Sequence, residues 1–203
     1  MFRSAALQRG ITIGHIPPDK FHEYRLQQIF EGYKWDYQSG QQATISDAVV
    51  LLDDKQYTYL VETAQQLFTE TVAMEMELKS QPDLLRELGL SQKLVELLSN
   101  SNYDPTQHIR MMRFDFHPTT TGWKISEVNS DVPAGFQESS LHPIFAAAHF
   151  EGYEPAGHFG ASFALALRTL VPAGNRIAFV YDSHTVEDSQ LLRFLGDYLA
   201  GLG

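Results

Sequence analysis

Two runs of strand-forming residues, IRMMRFDFH (109–117) and WKISEVN (123–129), flank the turn-rich stretch PTTTG (118–122). That order predicts a β-hairpin closed by a five-residue loop. The hairpin is the tightest constraint in the chain because side chains alternate between its two faces. Yet the two runs carry Arg113, Asp115, Glu127 and Asn129, with Ser130 and Asp131 just beyond. If His117 and Trp123 close the loop, Arg113 stands opposite Glu127 and Asp115 opposite Ile125, diagonal to Glu127. Arg113, Asp115, Glu127 and Asn129 then share one face, and Phe114, Phe116, Lys124, Ser126 and Val128 share the other. A slip of one residue would divide the polar set between faces.

Two carboxylates one cross-strand diagonal apart repel unless positive charge lies between them. Arg113 supplies part of it, and a divalent cation would supply more. Carboxylate oxygens with an amide oxygen are hard ligands that suit Mg2+ or Mn2+ rather than zinc. Magnesium takes few protein carboxylates and completes its shell with water and phosphate, so the set implies a nucleotide or phosphate substrate. The same residues also fit a surface hairpin whose charges pair and face water. The following NSDVPAGFQESS (129–140) favours a site: it offers hydroxyls, Gly135 for close backbone approach, and the expected N-terminus of a helix, where anions bind.

The rest of the chain reads as helices with one further strand. PPDKFHEYRLQQIFEGYKW (17–35) predicts a short helix opened by Pro17 and Pro18, followed by an aromatic-anchored loop. Tyr57, Leu60, Val61, Ala64, Leu67, Phe68 and Val72 follow helical spacing over 53–79, with Asp53 or Asp54 as the cap and Glu62, Glu70, Glu75 and Glu77 on a solvated face. Pro82 opens a helix ending at Gly89, and Ser91 opens another. LHPIFAAAHF and FGASFALALRTLV are apolar helical stretches separated by EGYEPAG. RIAFVYDSH (176–184) reads as a buried strand, and the helix after it makes half of a βαβ unit. The expected fold class is mixed α/β. Three regions are expected: a mainly helical 1–105, a hairpin-plus-helix region 106–171 carrying the polar site, and an α/β subdomain beginning at 172–203.

Composition narrows the function classes. Of 203 residues, 25 are acidic and 15 basic, giving a formal charge of −10. With no basic run, such a chain is repelled by nucleic acid and by anionic membranes. The absence of cysteine excludes disulfides, zinc–thiolate sites and cysteine nucleophiles. No stretch approaches about 18 uninterrupted apolar residues, and the N-terminus lacks the roughly 7–15-residue apolar core of an export signal. A cytoplasmic protein is expected. The histidines show no metal-ligand spacing, His142 and His149 included, and there is no Walker-type phosphate loop. GHFGAS follows no strand, and Ser162 lacks a nucleophile elbow. Asp182, Ser183 and His184 follow the predicted strand, a place where α/β proteins bind ligands. They also fit a strand-to-helix cap with Ser183 or Thr185 as the cap residue.

Arg113-Phe-Asp115, a short turn, then Glu127-Val-Asn129-Ser-Asp131-Val-Pro133 resembles the glutathionylspermidine synthase-like group of circularly permuted ATP-grasp ligases, which has an R-x-D strand, an E-x-N strand and a D-x-P turn. YKWD and LRELGL are similar to members of the same group. The resemblance implies a pre-ATP-grasp-like subdomain at the C-terminal end and ATP-dependent joining of a small carboxylate, peptide-like in kind, to an amine through an acyl phosphate. It implies Asp115, Glu127 and Asn129 as ligands of Mg2+ bridging the ATP phosphates. Arg113 would be the catalytic cation that stabilises negative charge and, with Asp115, would contact the nucleotide. Ser130, Asp131, Asp182 and Ser183 would face substrate. In the group, the lysines and glycine-rich lid that clasp ATP lie later in the chain, and nothing after residue 135 matches them. The 203 residues are therefore expected to be the front part of a longer protein, inactive alone. The alternative is a non-catalytic α/β module that binds a small molecule without ATP.

Overall fold

The computed structural model describes residues 9–102, 104–107, 110–130, 133–171, 175–182 and 184–202. Strand β1 (Ile11–His15) leads into helix α1 (Pro18–Phe30), whose first turn holds Pro18, where a missing N–H sacrifices no helical bond. A small ribbon of β2 (Gln38–Ser39) and β3 (Gln42–Ala43) follows. Strand β4 (Ala48–Leu52) then returns to pair antiparallel with β1, Ile11 opposite Leu52 and His15 opposite Ala48. The sequence left this pair unassigned, because a five-residue apolar run such as AVVLL has too little periodicity to declare itself.

Helix α2 (Asp54–Lys79) starts at the predicted cap: the Asp53 carboxylate accepts a hydrogen bond from the Gln56 N–H at 2.8 Å. Its apolar series forms the expected helix, but none of its residues is fully buried. Glu75, expected on the solvated face, instead pairs with Arg110. Helices α3 (Pro82–Glu87) and α4 (Gln92–Asn100) follow, with the Ser91 hydroxyl capping α4. Strands β5 (Arg113–Thr119) and β6 (Gly122–Asn129) form the predicted hairpin, and α5 (Phe136–Ala147), α6 (Phe159–Leu170) and α7 (Val186–Gly201) complete the chain. The result is a mixed α/β protein in which helices dominate and the strands occur as small antiparallel pairs.

Two apolar clusters hold α1, α5, α6 and α7. Ile16, Tyr24, Ile45 and Ala146 bring α1, the segment before β4 and the end of α5 together, with Phe21, Phe145 and Phe150 packed around them. Phe136, Phe194 and Leu195 join α5 to α7, and Phe159 from α6 stacks on Phe136 with ring centroids 4.4 Å apart. Gly160 permits this junction. Its N–H donates to the Ser140 hydroxyl at 2.9 Å, and a Cβ there would sit 2.7 Å from the Phe194 ring.

The predicted buried strand in RIAFVYDSH is not found: the described residues 175–182 contain no strand. Phe179 packs against the α5–α7 cluster, but Ile177 and Tyr181 are exposed and Val180 is 95% exposed. The β-branched and aromatic content is real strand propensity. A strand, however, also needs a neighbour to pair its N–H and C=O groups, and among the described residues none lies alongside.

Phe194→Ala should cost about 3–5 kcal/mol, since it empties the centre of the α5–α7 cluster. Gly160→Ala should cost about 1–3 kcal/mol by overpacking against the same ring. Urea unfolding at neutral pH measures both.

Candidate functional site

The hairpin reaches its one-faced polar cluster by a different route from the one predicted. Its turn has two central residues, Thr120 and Thr121, with Thr119 opposite Gly122, whose φ of 111° is a conformation suited to glycine. The shorter loop shifts the pairing near the turn by one residue, so that His117 stands opposite Lys124 and Phe116 opposite Ile125. Left alone, that slip would scatter the cluster. A β-bulge then leaves Ser126 without a partner and shifts the register again, so that Asp115 stands opposite Glu127 and Arg113 opposite Asn129. The four polar residues therefore do share one face, in directly opposed rather than diagonal pairs. Ser126, expected on the other face, hydrogen-bonds across to His117, with Oγ 2.7 Å from Nε2.

Arg113 governs the electrostatics of this face. Its Nε and Nη2 donate to the two oxygens of Asp115 at 2.8 and 3.2 Å, and Nη2 lies 3.9 Å from Glu127 Oε1. The hydrogen bond from Arg113 holds the Asp115 carboxyl below the usual carboxylate range, and the same bond raises the guanidinium pKa. Glu187, in the first turn of α7, adds to the negative field on Arg113. Glu187 is legible in the sequence as a first-turn acid of this helix, but its nearness to Arg113 depends on how α7 packs.

Among the described residues, no three His, Asp or Glu side chains form a ready-made metal cage. What is present is two opposed carboxylates with a neighbouring amide. That donor set fits Mg2+, which prefers one or two carboxylates and fills its remaining positions with water and phosphate oxygens. Asp115, Glu127 and Asn129 are the residues that would hold the ion.

The other predicted residues are less gathered. Ser130 is exposed immediately after β6. Asp131 and Ser183 lie outside the described residues. Asp182 accepts hydrogen bonds from the His184 backbone at 2.9 Å and from its Nδ1 at 2.8 Å, which lower its pKa. Thr185 occupies the cap position of α7 without a side-chain capping bond, its hydroxyl donating to the Asp182 carbonyl.

A second polar cluster, not foreseen in this form, lies behind the turn that leads into α5. The Lys34 ammonium, with its side chain 14% exposed, bonds Asp36 Oδ2 and Glu138 Oε1, each at 3.0 Å. Burial alone would lower the Lys34 pKa, but the bonds from Glu138 and Asp36 outweigh it and the net shift is upward. Burial likewise pushes Asp36 up, and the bond from Lys34, aided by the nearby Gln190 carboxamide, reverses that to a net lowering. Gln190, fully buried, accepts from the backbone N–H groups of Trp35 at 2.8 Å and Asp36 at 3.3 Å. The YKWD stretch marks this place in the sequence. Its partners Glu138 and Gln190 lie more than a hundred residues away and carry no local signal. His142 sits nearby, its pKa lowered to about 4, chiefly by burial and secondarily by Lys34, against the opposing pull of Glu138, Asp36 and a bond to Gly32.

Among known proteins, the family model described as "Glutathionylspermidine synthase preATP-grasp" matches residues 15–203. No curated protein and no solved structure matches the chain. None of the helices is long and apolar enough to cross a membrane, among the described residues.

His142 sets an acid limit on stability. Its folded pKa of about 4 lies below its unfolded value of about 6.5, so the unfolded chain binds the extra proton first as pH falls. The stability is present above about pH 6.5 and is lost as pH falls toward 4. Urea unfolding should show a loss of about 2 kcal/mol between pH 7.5 and pH 5 from this group. His142→Gln should flatten that part of the profile.

Proposed function

The chain belongs to the glutathionylspermidine synthase pre-ATP-grasp family, and on that premise we propose that its hairpin is the metal- and phosphate-binding face of an ATP- and Mg2+-dependent carboxylate–amine ligase. The observation that carries this reading is the opposed pairing of Asp115 with Glu127 and of Arg113 with Asn129 on one face. The bound cation would neutralise phosphate charge on ATP. Asp115, Glu127 and Asn129 hold it there, and Arg113 stabilises the negative charge that develops on the transferred phosphoryl group and on the acyl centre.

The chemistry proceeds in two displacements. An oxygen of the substrate carboxylate attacks the terminal phosphorus of ATP and ADP leaves, which gives an acyl phosphate. The amine nitrogen then attacks the acyl carbon, phosphate leaves, and the nitrogen loses a proton to give the amide. Ser130, Asp131, Asp182 and Ser183 are assigned to substrate contacts. The substrates are a small peptide-like acid and an amine, and the reaction is cytoplasmic.

Replacing both carboxylates, Asp115→Ala with Glu127→Ala, should weaken Mg2+-dependent ATP binding by the full-length protein by about 10- to 100-fold or more, because even lost outer-shell partners of a metal site cost that much. Calorimetric titration with and without Mg2+ measures it, and far-UV circular dichroism checks that the fold persists. Unchanged nucleotide affinity in the double variant would overturn the metal assignment.

A further inference from the structure

We propose that Arg113 is a built-in competitor for the cation and thereby couples cation entry to anion capture, an inference that rests on the metal assignment above. The guanidinium occupies both oxygens of Asp115, at 2.8 and 3.2 Å, and reaches toward Glu127 at 3.9 Å. A cation ligated by the remaining lone pairs of Asp115 would stand within a few ångströms of the guanidinium, so the two positive groups repel one another at this carboxylate. The Arg113–Asp115 pair lies within one strand, two residues apart, with 41% and 33% of the two side chains exposed. Exposed pairs of this kind are held weakly in water, so the guanidinium can be exchanged out at small cost.

Charge decides what happens next. Two carboxylates flank one guanidinium here and Glu187 adds to the negative field on it, which together attract a cation. A divalent ion offsets that negative charge, and the displaced guanidinium then stands beside a positively charged centre. Its favourable partner becomes an oxyanion, and its planar fork suits the two oxygens of a phosphate. Arg113 thus has two partners in turn: Asp115 before the cation binds, and an incoming phosphate after it. The cation and the phosphate each favour the other's binding, and the coupling runs through this one side chain.

The test uses the full chain, wild type and Arg113→Gln. Mn2+ affinity is read from the electron paramagnetic resonance signal of the free ion. Inorganic phosphate binding is read from 31P line broadening with and without saturating Mg2+. The glutamine variant should bind Mn2+ about fivefold more tightly than wild type at low salt, because the competing charge is gone. That ratio should shrink at high ionic strength. Phosphate should bind Mg2+-loaded wild type about tenfold more tightly than the metal-free protein, and Arg113→Gln should lose that gain. Equal Mn2+ affinities in the two proteins would overturn the competition and leave the metal assignment standing. Equal phosphate enhancement would overturn the coupling. If neither protein binds Mn2+, both the inference and the metal assignment fall.

Discussion

The buried carboxamide of Gln190 is the contact on which the arrangement of the chain turns. Through two backbone N–H groups it fixes the loop after α1 against α7. From that fixed loop Lys34 reaches Glu138 in the first turn of α5. Three segments far apart in sequence are thereby tied at one polar point, between the two apolar clusters. Apolar packing is non-directional and sets how closely α5, α6 and α7 approach. The directional bonds at Gln190 and Lys34 set where along those helices the loop is held. Their loss is costly for a particular reason: removing Lys34 would leave two half-buried carboxylates, Asp36 and Glu138, without their shared counter-charge.

The polar face of the hairpin was legible in the sequence, although the pairing behind it was not. Alternation and a turn signal sufficed to place Arg113, Asp115, Glu127 and Asn129 together, but a loop length cannot be read from PTTTG when Pro118 and Thr119 extend the strand. The actual turn is tighter and would have broken the cluster. The bulge at Ser126 compensates, so two deviations from the simple pairing cancel. That cancellation is invisible to pattern reasoning, because a serine in a strand has no distinguishing mark until its hydrogen bond to His117 is seen.

The helices were legible for a different reason. Asp53, Ser91 and the prolines at the starts of α1 and α3 announce themselves by local chemistry. What failed was anything that depended on a distant neighbour. Strands β1 and β4 are separated by more than thirty residues and pair only because α1 folds between them. RIAFVYD has the composition of a buried strand, yet propensity without an adjacent strand leaves it outside regular secondary structure, with Phe179 packed on the α5–α7 cluster. Local signals name an element, and only the tertiary arrangement supplies the partner that completes it.

The bulge has a consequence for how this protein can vary. Because the unpaired residue at 126 contributes its backbone rather than a particular side chain to the register, exchanging one amino acid for another there leaves the parity of β6 intact. Losing that single codon would only close the bulge, joining Ile125 to Glu127 and leaving Asp115 opposite Glu127 and Arg113 opposite Asn129. Position 126 should therefore tolerate replacement and loss alike, whereas adding or losing one residue between Glu127 and Asn129 would part Asn129 from Arg113.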